Sequence, residues 1–183
     1  VGDGMAVFGG CDAVIHFVSI LNGEPAGWFD TGSYIAGSAV YVGDRVYVGN
    51  YGGVFLCVEA GREEPIWTYD GKGPFFSTAA VTSDRVVFGG NDMRLHCVKR
   101  DTGEKVWTFQ TQGEVESSPV ISVDKVLAGS NDGRLYLVRL ADGKELWNYE
   151  IGAPIKASPA IAQNRVVIGA EDGFVYAFSV KPE

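Results

Sequence analysis

Basic and metal-binding side chains are scarce in this sequence. Fifteen Lys and Arg stand against 23 Asp and Glu, a formal net charge of −8 over 183 residues. Nucleic-acid affinity rests on cations that neutralise phosphates, and the few present are scattered along the chain, which argues against a nucleic-acid partner. Cys11, Cys57 and Cys97 form an odd set with no CxxC pair, so neither a zinc knuckle nor a disulfide framework is indicated. No apolar run approaches the ~18 residues that a membrane span requires. The N-terminus shows no basic region followed by an apolar core, the pattern of a secretory signal. Helical periodicity is missing too, and essentially no helix is expected.

What the chain has is repetition. Gly9, Gly49, Gly89, Gly129 and Gly169 are spaced by forty residues. Val46, Val86, Val126 and Val166 keep the same step, as do Ser38, Thr78, Ser118 and Ser158. Trp67, Trp107 and Trp147 follow it, while Trp28 falls one residue out of phase. A fixed period of this length marks a repeat architecture.

Each unit divides into four short runs. In one copy these are Ser118 to Val123, Val126 to Gly129, Arg134 to Leu140 and Glu145 to Tyr149. Runs of four to eight residues rich in Val, Leu and Tyr and bounded by Asn, Asp and Gly read as strands. Asp132-Gly133 and Asp172-Gly173 separate the second run from the third, and Thr102-Gly103 and Asp142-Gly143 the third from the fourth. Asp-Gly favours a type I′ hairpin, which makes neighbouring strands antiparallel. A four-stranded meander cannot bury both faces alone. Stacked radially on its copies it becomes the blade of a β-propeller, with the repeated Trp packing between blades. The expected fold is all-β: a propeller of four-stranded antiparallel blades with forty-residue repeats.

The runs Asp101-Thr-Gly-Glu-Lys-Val-Trp107 and Asp142-Gly-Lys-Glu-Leu-Trp147, with the hairpin from Gly129 to Val138, resemble the tryptophan-docking motif of pyrroloquinoline-quinone-like (PQQ-like) β-propellers. The resemblance implies that Trp28, Trp67, Trp107 and Trp147 dock each blade on the next. It extends to the non-catalytic branch represented by the propeller lipoprotein of the outer-membrane β-barrel assembly machinery. A periplasmic or extracytoplasmic location follows from the resemblance alone.

Strand counting predicts about four and a half repeats, a partial propeller. An incomplete blade spans 1–37, complete blades span 38–77, 78–117 and 118–157, and a second incomplete blade spans 158–183. The chain enters near the second strand of one unit, Met5 to Phe8, and leaves after the third strand of another, Phe174 to Val180. Two explanations stand: a piece of a longer protein, or a homodimer in which two partial rings close together, motivated by unpaired sheet edges.

Strand order puts the second-to-third hairpins and the fourth-to-first loops on one face of the disc. Tyr34, Tyr51, Phe75, Phe76 and Met93 are expected on that face, with Glu116 and Lys156 as an ion pair across adjacent blades. Exposed aromatics of this kind mark protein interfaces. Asp before Gly is ordinary turn chemistry, and Asp side chains on adjacent blades stand too far apart for one Ca²⁺. His16 and His96 share their repeat position with Tyr136 and Tyr176, which suggests a semi-buried ring with a polar tip. Cys57 and Cys97 share theirs with Phe17, Leu137 and Ala177, a core position. No catalytic, cofactor or metal site is therefore expected.

The functional expectation is a non-catalytic scaffold module that binds a protein or peptide. Alternatives are a fragment of a quinoprotein dehydrogenase and the extracytoplasmic sensor domain of a bacterial receptor or kinase. The first alternative would need Glu, Asn and Asp around Ca²⁺ and a free Trp beneath a quinone.

Overall fold

A computed structural model of the chain describes residues 4–179. Its strands form five antiparallel sheets. The first holds β1 (Met5–Gly9), β2 (Val14–Ser19) and β3 (Pro25–Asp30). The second holds β4 (Val40–Val42), β5 (Arg45–Gly49), β6 (Val54–Glu59) and β7 (Trp67–Asp70). The third holds β8 (Ala80–Val81), β9 (Arg85–Gly90), β10 (Arg94–Lys99) and β11 (Lys105–Gln110). The fourth holds β12 (Val120–Ser122), β13 (Lys125–Gly129), β14 (Arg134–Arg139) and β15 (Glu145–Glu150). The fifth holds β16 (Ala160–Ala162), β17 (Arg165–Gly169) and β18 (Val175–Ser179). Among the described residues there is no helix, and the architecture is an all-β partial propeller. Val180, the expected end of the last strand, lies outside the described residues, as do 1–3 and 181–183 at the ends of the expected division.

The apolar runs on the second strands bury both faces, because alternate side chains point to opposite sides of a sheet. Val46 and Val48 pack with Ile15, Phe17 and Phe29 of the first sheet. Between them, Tyr47 turns the other way, onto Val86, Phe88 and Val98 of the third. The core is thus a series of layers between consecutive sheets, continued by Val87, Leu95, Val126 and Val138 and then by Leu127, Leu135 and Ile168. Such stacking is how quasi-one-dimensional repeats gain stability.

Glycine at the ends of the second strands serves close approach. A Cβ on Gly9, Gly49, Gly89 or Gly129 would collide with Ile35, Phe75, Val115 or Ile155 respectively. The hairpins differ from the type I′ expectation. Only the glycine takes positive φ, 83° at Gly133 and 70° at Gly143, while Asp132 and Asp142 do not. Gly133 N–H donates to the Ser130 carbonyl at 3.1 Å, which makes a type I turn followed by a left-handed residue. Asp132 selects this turn because its carboxylate accepts the Arg134 N–H at 2.9 Å. In the third sheet the left-handed position falls on Met93, with φ 63°.

Tryptophan docking is present at two junctions. Trp67 Nε1–H donates to the Arg100 carbonyl and Trp107 Nε1–H to the Leu140 carbonyl, each at 2.8 Å. Both indoles are about nine-tenths buried. They lie on Gly103 and Gly143, where a Cβ would come within 2.7 Å of the ring. By the forty-residue step the acceptor for Trp147 is residue 180, outside the described residues. Trp147 itself is half-exposed and packs edge-on against Phe178, with ring centroids 5.6 Å apart.

Trp28 does not dock, contrary to expectation. A bulge precedes the docking position in three sheets, and beyond it Phe17 pairs with Gly27 as Cys97 pairs with Trp107 and Leu137 with Trp147. Trp28 pairs one step further on, with His16. One step along a strand moves a side chain to the opposite face, and Trp28 is 69% exposed.

Candidate functional site

The loop face is built by a hydrogen-bonded seam. Each loop that joins two sheets is tied to the hairpins of both. Ile35 N–H donates to Gly10 of the first sheet at 3.2 Å, and Tyr51 N–H of the second donates to the Tyr34 carbonyl at 2.8 Å. The pattern recurs with Phe75 to Asn50 and Asn91 to Pro74, and with Val115 to Gly90 and Asn131 to Glu114. Ser and Thr side chains add to it further inward: the Thr78 N–H donates to the Ser118 hydroxyl at 2.9 Å, across two blades. Main-chain bonding on both sides holds these loops in one conformation.

Four of the expected aromatic and methionine residues are surface groups. Tyr34, Tyr51 and Met93 are exposed and Phe76 is half-buried. Tyr34 and Tyr51 meet through the backbone bond, and the Tyr51 and Phe76 rings lie 5.0 Å apart at 48°. The three rings belong to the loop and hairpin segments between the first three sheets. Phe75 is a correction: it is fully buried, with Phe55, Phe88 and His96 rings around it at 5.9, 5.1 and 5.4 Å. Its repeat position is also held by Ile35, Val115 and Ile155, all buried. That shared apolar identity was the readable sign of a core site.

Two blades beyond Phe76, the face changes character. Lys156, at the position equivalent to Phe76, sits 3.2 Å from Glu171 and 3.9 Å from Glu116. The Glu171 hydrogen bond first, and the two carboxylate charges with it, raise the Lys156 ammonium above its ordinary value. An aromatic sector therefore adjoins an ion-paired one.

A second polar feature escaped sequence reasoning. Asp92 Oδ1 stands 2.9 Å from His96 Nε2, and Tyr69 Oη 2.9 Å from His96 Nδ1. Asp92, His96, Arg94, Lys72 and Lys105 line a cleft of about 340 Å³. The repeat explains the pair. Asp12 holds His16 at 2.8 Å, and Asp132 and Asp172 accept the hydroxyls of Tyr136 and Tyr176 in the same way. An Asp at the hairpin and a ring four residues later form a latch that fixes the turn, and its signal was Asp-x-x-x-His/Tyr at the forty-residue step. Burial pushes the Asp92 carboxyl up, but the His96 hydrogen bond and charge and nearby Arg94 outweigh it and hold the group below its ordinary value. Burial pushes the Cys57 and Cys97 thiols up to about 12, which keeps them un-ionised. Among the described residues no three His, Cys, Asp or Glu side chains are grouped to hold a metal ion.

Comparisons with known proteins agree on the architecture. A family model described as outer membrane protein assembly factor BamB matches residues 14–182. Among solved structures, BamB from Moraxella catarrhalis superposes with a TM-score of 0.85 at 18% identity, covering 98% of this chain and 56% of that one. The chain thus spans just over half the length of that relative. Two computationally designed proteins share the fold. Ika4 gives a TM-score of 0.72 at 19% identity over 81% of this chain and 92% of its own. Ika8 gives 0.64 at 17% over 98% and 69%. No curated protein matches the sequence.

Proposed function

The chain belongs to the PQQ-like repeat family of the outer-membrane assembly factor BamB, and we propose that it is a non-catalytic β-propeller module that binds a protein or peptide on its loop face. The observation that carries this reading is the cluster of Tyr34, Tyr51 and Phe76 on loops held rigid by bonds to both flanking sheets. Rigid exposed aromatics supply contact area at little ordering cost. Lys156 and Glu116 form the polar margin of the same surface, and Met93 stands on a hairpin of the same face. The description of the matching family, an outer membrane protein assembly factor, favours an assembly partner and an extracytoplasmic setting. No helix among the described residues is long and apolar enough to cross a membrane.

The division into partial blades at 1–37 and 158–183 around complete blades at 38–77, 78–117 and 118–157 is part of the proposal. Closure by a homodimer gains no support. Among the described residues the first sheet matches the second, third and fourth strands of a blade and the fifth matches the first, second and third, so these segments overlap where closure by a second copy needs them to complement each other.

The dehydrogenase reading fits the residues poorly. A quinone over Ca²⁺ needs a cluster of oxygen ligands and an indole free to lie beneath the ring. Trp67 and Trp107 are committed to docking, which leaves neither indole free to lie beneath a quinone.

A photo-crosslinking amino acid at position 34, compared in the parent and in a Tyr51→Ser/Phe76→Ser variant, tests the proposal. One discrete adduct that disappears in the variant is expected. Adducts indifferent to the two substitutions, or turnover of an alcohol or sugar with added quinone and Ca²⁺, would overturn it.

A further inference from the structure

Most cationic side chains of this chain have a carboxylate beside them: Arg45 has Asp101, Arg85 has Asp84, Lys99 has Glu104 and Lys125 has Asp124. The cleft between the second and third sheets departs from that pattern. Its lining comes from the end of β7 and the loop after it, from the hairpin and first residues of β10, and from β11, and it includes Lys72, Arg94 and Lys105. Among the described residues neither lysine has an ion-pair or hydrogen-bond partner for its ammonium. The ion pair of Arg94, to Asp92, is long at 3.6 Å. One repeat on, the equivalent positions are neutralised. Gln112 and Glu145 stand where Lys72 and Lys105 would be, and Arg134 bonds Asn148 at 3.0 Å and pairs with Glu150 across the sheet. Arg94 instead faces Gln110, whose amide group donates to the Met93 and Thr111 carbonyls. Blade architecture therefore does not require the two lysines. Nor does Asp92 answer them: its side chain is 6% exposed and is held by His96 at 2.9 Å. Three cations, Lys72, Arg94 and Lys105, face two carboxylates, Asp70 and Asp92, an excess of one positive charge in a chain of net charge −8.

We propose that this cleft binds a single carboxylate, carried by an acidic side chain of a partner segment or by a small free acid. Ammonium and guanidinium groups give a carboxylate charge-assisted hydrogen bonds, and the planar fork of an arginine matches its two oxygens. Thr108 adds a hydroxyl to the lining. One carboxylate balances the excess charge. A phosphate dianion overshoots it and meets the negative field of the whole chain. The volume of about 340 Å³ lies at the low end of the ~300–1,000 Å³ of ligand clefts, which suits a group of amino-acid size. The cleft uses none of Tyr34, Tyr51 and Phe76, so this inference stands apart from the loop-face reading.

The test is a titration of the isotope-labelled protein with N-acetyl-glutamate N-methylamide and with butyrate, followed by amide NMR signals. N-acetyl-glutamine N-methylamide serves as the uncharged control and inorganic phosphate as the competing anion. Saturable shifts confined to residues 70–72, 92–96 and 105–108 are expected for both carboxylates. The uncharged control should bind about tenfold more weakly or worse. Tighter binding of the glutamate derivative assigns the site to a peptide segment, and equal or tighter binding of butyrate assigns it to a free acid. Lys72→Gln and Lys105→Glu place the residues of the next repeat at exposed sites, and each should weaken both probes by about tenfold. Lys144→Gln, at an exposed lysine outside the cleft, should leave binding unchanged. The absence of saturable shifts, equal binding of the glutamine control, phosphate binding tighter than either carboxylate, or equal weakening by Lys144→Gln would overturn the proposal.

Discussion

Phe75 packs directly onto the backbone of Gly49, where a Cβ on the glycine would collide with the Phe75 side chain. The same relation joins Gly9 to Ile35, Gly89 to Val115 and Gly129 to Ile155. A loop residue thus plugs the core between two sheets at each repeat, and the glycine exists to admit it. Phe75→Ala empties a fully buried ring site and should destabilise the fold by about 3–5 kcal/mol. Gly49→Ala overpacks the same contact, at a cost of about 1–3 kcal/mol. Urea denaturation of the two variants measures both. A Phe75→Ala variant of unchanged stability would show that the ring is not a core group.

Docking makes a separate prediction. Trp107 contributes both buried area and one hydrogen bond to Leu140. Trp107→Phe retains most of the area and loses the bond, so the expected loss is about 0.5–1.5 kcal/mol. Trp107→Ala should cost about 3–5 kcal/mol. Trp28→Ala, at an exposed ring, should stay within about 0.5 kcal/mol of the parent. The contrast between Trp107 and Trp28 in one denaturation series checks the one-residue shift directly.

These relations also show what the sequence made legible. Five glycines at one interval identified the repeat, the four-strand unit and the all-β propeller, because each repeat must bury the same faces. The site was harder to read. Residue 75 lies in a loop, and a loop aromatic reads as exposed until its register with Ile35, Val115 and Ile155 is compared. Trp28 looked like a slightly displaced docking residue, yet a displacement of one reverses the face of a strand. Asp-Gly suggested a type I′ turn, whereas the carboxylate bond from Asp132 to Arg134 N–H favours a type I turn with glycine after it. The pairing of Asp92 with His96 crosses from a turn to a strand, and only the recurrence of Asp with His or Tyr four residues on could have revealed it.

Met93 sits where Gly53, Gly133 and Gly173 occupy the corresponding hairpins, and it takes φ 63°. Its carbonyl accepts the Thr111 N–H, the Thr111 hydroxyl and the Gln110 side-chain amide at 3.0, 2.8 and 2.9 Å. Those bonds hold the residue in the left-handed region, which costs an L side chain about 1–2 kcal/mol. Met93→Gly removes that strain but adds unfolded-state entropy. The net expectation is a gain of about 0.5–1 kcal/mol, read as a higher urea midpoint at unchanged slope. A loss of stability would show that the methionine side chain itself supports the hairpin.

The latch at Asp92 sets an acid limit on stability. The folded carboxyl is held below its ordinary value, chiefly against burial, by the His96 hydrogen bond and charge and by Arg94. A carboxyl whose folded pKa lies below its unfolded value of about 4 stabilises the fold above that value. The contribution is lost as pH falls from about 4 through the folded pKa, because the unfolded state then binds the proton first. Asp92→Asn removes the titrating group, so the variant should be less stable than the parent near neutral pH and the gap should narrow below about pH 4. Asp12 and Asp172 are lowered as well, by the His16 and Tyr176 hydrogen bonds, but both groups are solvent-exposed and their pairs are readily screened. The narrowing should therefore be larger for Asp92→Asn than for Asp12→Asn. Parallel urea titrations between about pH 3 and pH 7 measure it, and a constant gap across that window would remove Asp92 from the acid response.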